Sequence, residues 1–494
     1  MIRQETMIRQ EEVQAQQARS QARTEVSEAR TERLAHQLRI ERTMEAARPV
    51  QREVPVPLPQ VTGHRFIIYK QDPSVTELGV RLTFLPTVVL NGPKDARIQT
   101  ELQGVTPVAR NINGDFIFPA NSPQFDCAHT FAVVRQTLAM YEQHNDGRPI
   151  PFAWNTNGNT DRITVFPRAG LDANAFYSRT AKVLKFFFFT PQGQPPSNLV
   201  FTCRSFDIVA HEAGHAILDG LKPGWLSASN SPQTGGLHEA FGDLSAIFLA
   251  LSQPDQAEAL VTLTKANLHD KSFLPAVAEE FGTALGKQPG LRNADNDLKL
   301  SEVGNEVHAI SQVFTGAIYD ILADIYAFEL DRQRRTKDPA IILIEVATKL
   351  CKLLFDAIVA SPKTDAKYVD IANQMLKKSA DRKDPATYRT FIRARFAVRE
   401  ITTAATPLDD LMSGQMKMTD ANYIGNGRDV TKVEVHDRNS ASLQAGQDRS
   451  RCCGTMQMLE YEVVDPQKLA QGGSLEDDDI LRKELDELSQ AFRR

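Results

Sequence analysis

Several features that would assign a chain quickly are scarce or missing here. Among 494 residues there are five cysteines and two tryptophans, and aromatic residues make up 7%. Cysteines this few, and odd in number, do not suggest a disulfide framework. The adjacent pair Cys452-Cys453 has no C-x-x-C partner and reads as inert rather than as a metal site. No apolar run approaches the roughly 18 to 20 residues needed to span a bilayer. The longest candidate, Lys185-Phe186-Phe187-Phe188-Phe189, reads as a buried strand. Neither sign of charge dominates: 57 basic against 62 acidic residues leave a net charge of −5, which argues against a nucleic-acid or anionic-membrane binder. Charge and amide groups crowd the start, MIRQETMIRQEEVQ, where a secretory segment would have an apolar core. That favours the cytoplasm, or export by a route the sequence does not announce. There is no G-x-S-x-G and no Walker or Rossmann glycine loop, and Cys127 and Cys203 lie in no recognisable nucleophile pattern.

What is present is an ordinary soluble composition, 41% hydrophobic and 24% charged, in a chain longer than one average domain. Residues 1–52 are rich in Arg, Glu, Gln and Ala, with MIRQE at Met1 and again at Met7. They read as a charged helical or disordered arm, with room for a protein partner through it. The Pro-punctuated stretch Val54 to Pro59 is a linker. Residues 53–122 carry alternating, β-branched segments (RFIIY, VRLTFLPTVVL, DFIF) and form a small β region. Residues 123–205 are expected to form a β-rich lobe, with a helix over Phe125 to His144 and strands over Arg162 to Phe166 and Val183 to Phe189. Residues 206–405 have helical spacing almost throughout. The last part, 406–494, mixes polar loops, two strand-like pieces (KVEVH, LEYEVV) and a charged terminal helix. The order is β first and helix second, an α+β chain with a cleft expected between two lobes.

The chemistry is carried by Ser205 to Leu218, which contains His211-Glu212-Ala213-Gly214-His215, an instance of H-E-x-x-H. On a helix, residues four apart share a face, so both imidazoles can reach one ion while Glu212 faces a water on it. Asp207 is placed to cap that helix. Further on, Leu237-His238-Glu239-Ala240-Phe241-Gly242-Asp243 opens a second helix, in which the two acids interrupt an apolar pattern. A catalytic zinc takes three protein ligands and keeps one open position. Glu239 can complete a His2Glu set with His211 and His215, and Asp243, one turn on, can accept the outer N–H of a ligating histidine. His238 reads as a helix cap more than as a partner of the site. His129, His144, His269 and His436 have no motif context and read as structural or surface residues.

HEAGH followed by EAFGD resembles the thermolysin-type zinc metallopeptidases, with an inter-motif gap closer to the fungalysin-like enzymes. Three further stretches match in order. Asp172-Ala173-Asn174-Ala175-Phe176-Tyr177 is similar to the family's substrate-holding edge segment, Gly290-Leu291-Arg292-Asn293 to the segment with the substrate-clamping Arg, and Gly304-Asn305-Glu306-Val307-His308 to the G-x-x-V-H that sets a His over the reacting carbonyl. The resemblance implies a zincin-type two-lobed catalytic domain and a Zn2+ cofactor. It also implies Glu212 as base, His308 as oxyanion donor, and Asn174, Ala175 and Arg292 as contacts to a peptide or protein substrate. It covers residues from about 125 to 330 and the helical segment to about 400. The chain departs from it in three ways. The tyrosine that assists the oxyanion would fall near Trp225 or Leu226, neither of which can serve. The acidic calcium ligands after the third zinc ligand are largely absent beyond Ala250, so calcium is not implied. The secretory signal and long propeptide are missing. A zinc endopeptidase is the expected function. An aminopeptidase on the same ligands is the alternative, though no acidic site for a free N-terminus is evident. A catalytically retired interaction protein is a third reading, against which Glu212 and His308 count.

Overall fold

The computed structural model describes residues 63–102, 107–155, 162–287 and 290–402. The expected arm, linker and C-terminal extension, with Cys452, Cys453 and His436, lie outside the described residues.

The first elements are an antiparallel pair, β1 (His64–Tyr69) and β2 (Val80–Leu85), in register His64 to Leu85. Alternation puts Phe66 and Ile68 into the core, where Phe66 stacks on Phe116 and Phe131. Pro86, which has no N–H to give a ladder, follows the last residue of β2. The expected strand DFIF does not form: only Phe116 makes an isolated bridge, to Phe66.

A four-stranded sheet follows in the order β3 (Ile98–Thr100), β4 (Ile163–Phe166), β6 (Val183–Phe186), β5 (Ala175–Ser178). The first three are parallel, and β5 runs antiparallel to β6 at the edge. The expected strand over Val183 to Phe189 is two strands. It breaks at Phe187, whose N–H goes to Thr202 Oγ1 and Asn174 O, and β7 (Phe188–Phe189) then pairs with β8 (Val200–Phe201).

Helix α1 (Pro123–His144) starts on a Ser122 cap with Pro123 at its first position. It is packed against α2 (Phe206–Leu221). Asp207 does not cap α2. Ser205 is the N-cap, its hydroxyl accepting from Ile208 N, and Asp207 is turned into the protein. Helix α3 (Pro232–Leu251) starts well before Glu239, and every residue from Thr234 to Leu251 is buried. A helix buried all round must lie at the centre; α2, α6 (Val307–Gln333) and α7 (Pro339–Ala360) surround it. The remaining helices are α4 (Pro254–Thr264), α5 (Glu279–Ala284), α8 (Tyr368–Asp381) and α9 (Ala386–Val398); a short pair, β9 (Ala276–Val277) with β10 (Arg292–Asn293), lies between α4 and α6. Among the described residues no helix is long and apolar enough to cross a membrane.

Where Asp207 goes matters for the rest. Gln71 Nε2 donates to its Oδ1 at 2.7 Å, and its carboxyl hydrogen-bonds that of Glu279. Asp72, beside it, accepts from Ser74 and from Glu280 N. This cluster joins the turn after β1, the first turn of α2 and the corner between β9 and α5. Burial, then the charges of neighbouring carboxylates, holds Asp207 and Glu279 well above the usual carboxylate range. The folded state thus keeps a proton that the unfolded chain loses above about pH 4. Its stabilisation is complete below that pH and declines as pH rises toward the folded pKa. Glu279→Gln, whose amide donates without titrating, should raise the melting temperature by about 2–4 °C near pH 8 and little near pH 5. Melting curves across that range check this; an equal shift at both ends would contradict the shared proton.

Candidate metal centre

His211 and His215 lie one turn apart on α2, fully buried, their rings 4.6 Å apart and nearly perpendicular. Glu239 faces them from the middle of α3, also fully buried. Two glycines let the helices come this close. A Cβ on Gly214 would meet Ser245 Oγ at 2.6 Å and Gly242 Cα at 3.2 Å, and one on Gly242 would meet the His211 ring at 2.6 Å. The His211 imidazole therefore lies flat against the α3 backbone.

One Glu239 oxygen is 3.5 Å from His211 Nε2, and the other is 3.6 Å from His215 Nε2. Neither oxygen has a hydrogen-bond partner, and neither does His211 Nε2. Ligand atoms bound tetrahedrally at zinc distances are about 3.3–3.5 Å apart. The three side chains are spaced as ligands of one ion rather than as partners of each other, and their ligand atoms all lie within 4.8 Å. They fit a small divalent cation.

The outer nitrogens are held from α3 as well. His211 Nδ1 donates to Asp243 Oδ1 at 2.9 Å, as expected for Asp243, and Arg292 on β10 grips the same carboxylate through Nε at 2.9 Å and Nη2 at 2.6 Å. Burial alone would raise Asp243 and lower His211. Arg292 and His211 outweigh it for Asp243, which is held below the usual range; Asp243 and Glu239 outweigh it for His211, which is pushed up to about 9. His215 Nδ1 is 2.7 Å from Nδ1 of His238. His238 is thus no helix cap: it is fully buried inside α3, and burial pushes it down to about 4.

Glu212 is fully buried beside His211 on α2. His308 is in the first turn of α6, as its spacing predicted, with Nε2 3.4 Å from Glu239 and Nδ1 2.6 Å from Glu306. Glu306 caps the helix through Ala309 N at the same time. Burial pushes the Glu306 carboxyl up, but the His308 hydrogen bond and charge and two backbone N–H groups bring it to about 2. This carboxylate was not among the expected site residues. Its only signal was an acid two positions before His308.

Asn174 and Ala175 meet at the start of edge strand β5. The Asn174 side-chain oxygen takes the Ala175 N–H at 2.9 Å, which removes that N–H from those an extended chain could use. Trp225 is fully buried and donates to Pro362 O, so it takes no part in the site. Cys127, Cys203 and Cys351 are buried thiols, and burial raises each of their pKa values. A second group, His269, Asp295 and Asp320, also has its ligand atoms within 4.8 Å of one another. There Asp320 is already bonded to Arg399 at 2.8 Å and His269 to Asp295 at 2.9 Å.

The chain matches no protein-family model, and no curated protein matches it at a significant level.

Gly242→Ala tests the helix contact at the centre. Helix propensity alone would stabilise the variant by about 1 kcal/mol. The close approach to His211 predicts the opposite, a lower melting temperature together with weaker metal retention against a chelator. A more stable variant with undiminished retention would show that the ring has room to move.

Proposed function

We propose that the chain is a zinc-dependent endopeptidase of the thermolysin-like type, a two-lobed zincin with its active site between a β-rich and a helical lobe. The supporting observation is the group His211, His215 and Glu239, whose buried ligand atoms lie within 4.8 Å of one another, with no hydrogen bond to Glu239. These three residues would hold zinc, which supplies Lewis acidity toward a carbonyl oxygen and acidifies water.

The other roles belong to side chains. Glu212, on the same helix as both histidines, would take the proton from the attacking water and return it to the leaving amine. Its full burial keeps bulk water from competing for that proton. His308, its Nδ1 fixed by Glu306, would turn Nε2 to the charge that develops on the carbonyl oxygen. No tyrosine stands at Trp225 or Leu226 to share this work. An extended peptide would run along the edge of β5 near Asn174 and Ala175, pairing by strand addition with backbone groups other than the Ala175 N–H, which Asn174 already holds. Arg292, oriented by Asp243, would reach a peptide carbonyl.

The test is cleavage of an internally quenched peptide blocked at both ends. Wild-type protein should cleave it, and Glu212→Gln should lose at least about 10²-fold in kcat while retaining zinc. Turnover only of peptides with a free N-terminus would favour an aminopeptidase, and wild-type turnover by Glu212→Gln would remove Glu212 as the base.

A further inference from the structure

Each imidazole of the pair His211 and His215 has one nitrogen at Glu239 and the other on a partner from α3. The partners differ in kind. His211 has the carboxylate of Asp243, itself neutralised by Arg292. His215 has a second imidazole, with rings 4.9 Å apart and 27° from parallel, both fully buried.

A hydrogen bond between two ring nitrogens needs one proton, and its direction decides what the opposite nitrogens can do. If His238 donated, His215 would carry its own proton on Nε2 and direct an N–H at Glu239, with no lone pair for a metal. If His215 donates, its Nε2 lone pair faces Glu239 and the metal position, and His238 carries its proton on Nε2. A carboxylate can only accept and sets the direction outright; an imidazole can do either.

We infer that His238 is a positioning residue that accepts the Nδ1 proton of His215 and so fixes the tautomer in which His215 can bind metal. This rests on the metal reading of the site. His238 immediately precedes Glu239 on α3, and Asp243 follows one turn later. One stretch of helix thus supplies a ligand and the partners of both other ligands. In that tautomer the Nε2 proton of His238 is buried without a hydrogen-bond partner. The acids whose charge acts on the ring are Asp219, already held by Tyr177 and Arg179, and Glu239. Asn at 238 can place its side-chain oxygen where Nδ1 now lies, because both atoms are the same number of bonds from Cα; Gln reaches one bond too far.

The test combines selective 15N-histidine NMR of the metal-free and zinc-loaded full chain with zinc competition against a chelator. His215 should be the Nδ1–H tautomer and His238 the Nε2–H tautomer, already so in metal-free protein. His238→Leu and His238→Gln should weaken zinc binding by about 10- to 100-fold, and His238→Asn should bind within about threefold of wild type. A His215 Nε2–H tautomer in metal-free wild type, or an Asn variant as weak as the Leu one, would overturn the role. A wild-type chain that binds no zinc would instead overturn the metal reading, and the tautomers would still show which way the bond runs.

Discussion

Glu239 carries its charge at the centre of the molecule, on a helix with no solvent-exposed side from Thr234 onward. An ionised carboxylate taken so far from water costs several kcal/mol unless opposite charge or hydrogen bonds make good the loss. No hydrogen bond reaches either of its oxygens. Burial pushes the group up, yet the three surrounding histidines outweigh it and hold Glu239 well below the usual range. The site is therefore built around a buried negative charge that the group's geometry could share with a cation. The glycine contact between α2 and α3, the partners on both outer nitrogens and the Arg292 clamp all serve to hold nitrogen and oxygen atoms a coordination distance apart.

The carboxyl groups of Asp207 and Glu279 solve the same problem differently. They are also buried, but they share a proton. Asp207 and His211 are on the same helix, one turn apart, so α2 has a proton-sharing acid pair at its start and the His211, His215 and Glu239 group facing its middle. Arg292 joins the two regions, since β10 pairs with β9 just before Glu279 and the guanidinium reaches Asp243.

Much of the centre was legible in the sequence because helical geometry is periodic. HEAGH fixes two imidazoles on one face, the later acid and Asp243 are one turn apart, and His308 is in the first turn of its helix as its flanking apolar spacing required. What depends on contact between distant segments was not legible. His238 pairs with His215 because α2 and α3 cross at glycines, and neither motif states the crossing. Glu306 combines two roles, cap and histidine partner, and neither was read from the sequence. Asp207 lost the cap to Ser205 because Gln71 and Glu279, far away in the chain, take its oxygens. The run Val183 to Phe189 is apolar apart from Lys185, so nothing in it marked Phe187 as the residue where one sheet ends and another starts.

Anomalous scattering from crystals of the protein as purified, recorded on both sides of the zinc absorption edge, tests the centre most directly. The account predicts one dominant zinc peak about 2.0–2.2 Å from His211 Nε2, His215 Nε2 and a Glu239 oxygen. No peak there, with Glu239 instead hydrogen-bonded directly to the two histidines, or a dominant peak at His269, Asp295 and Asp320, would contradict it.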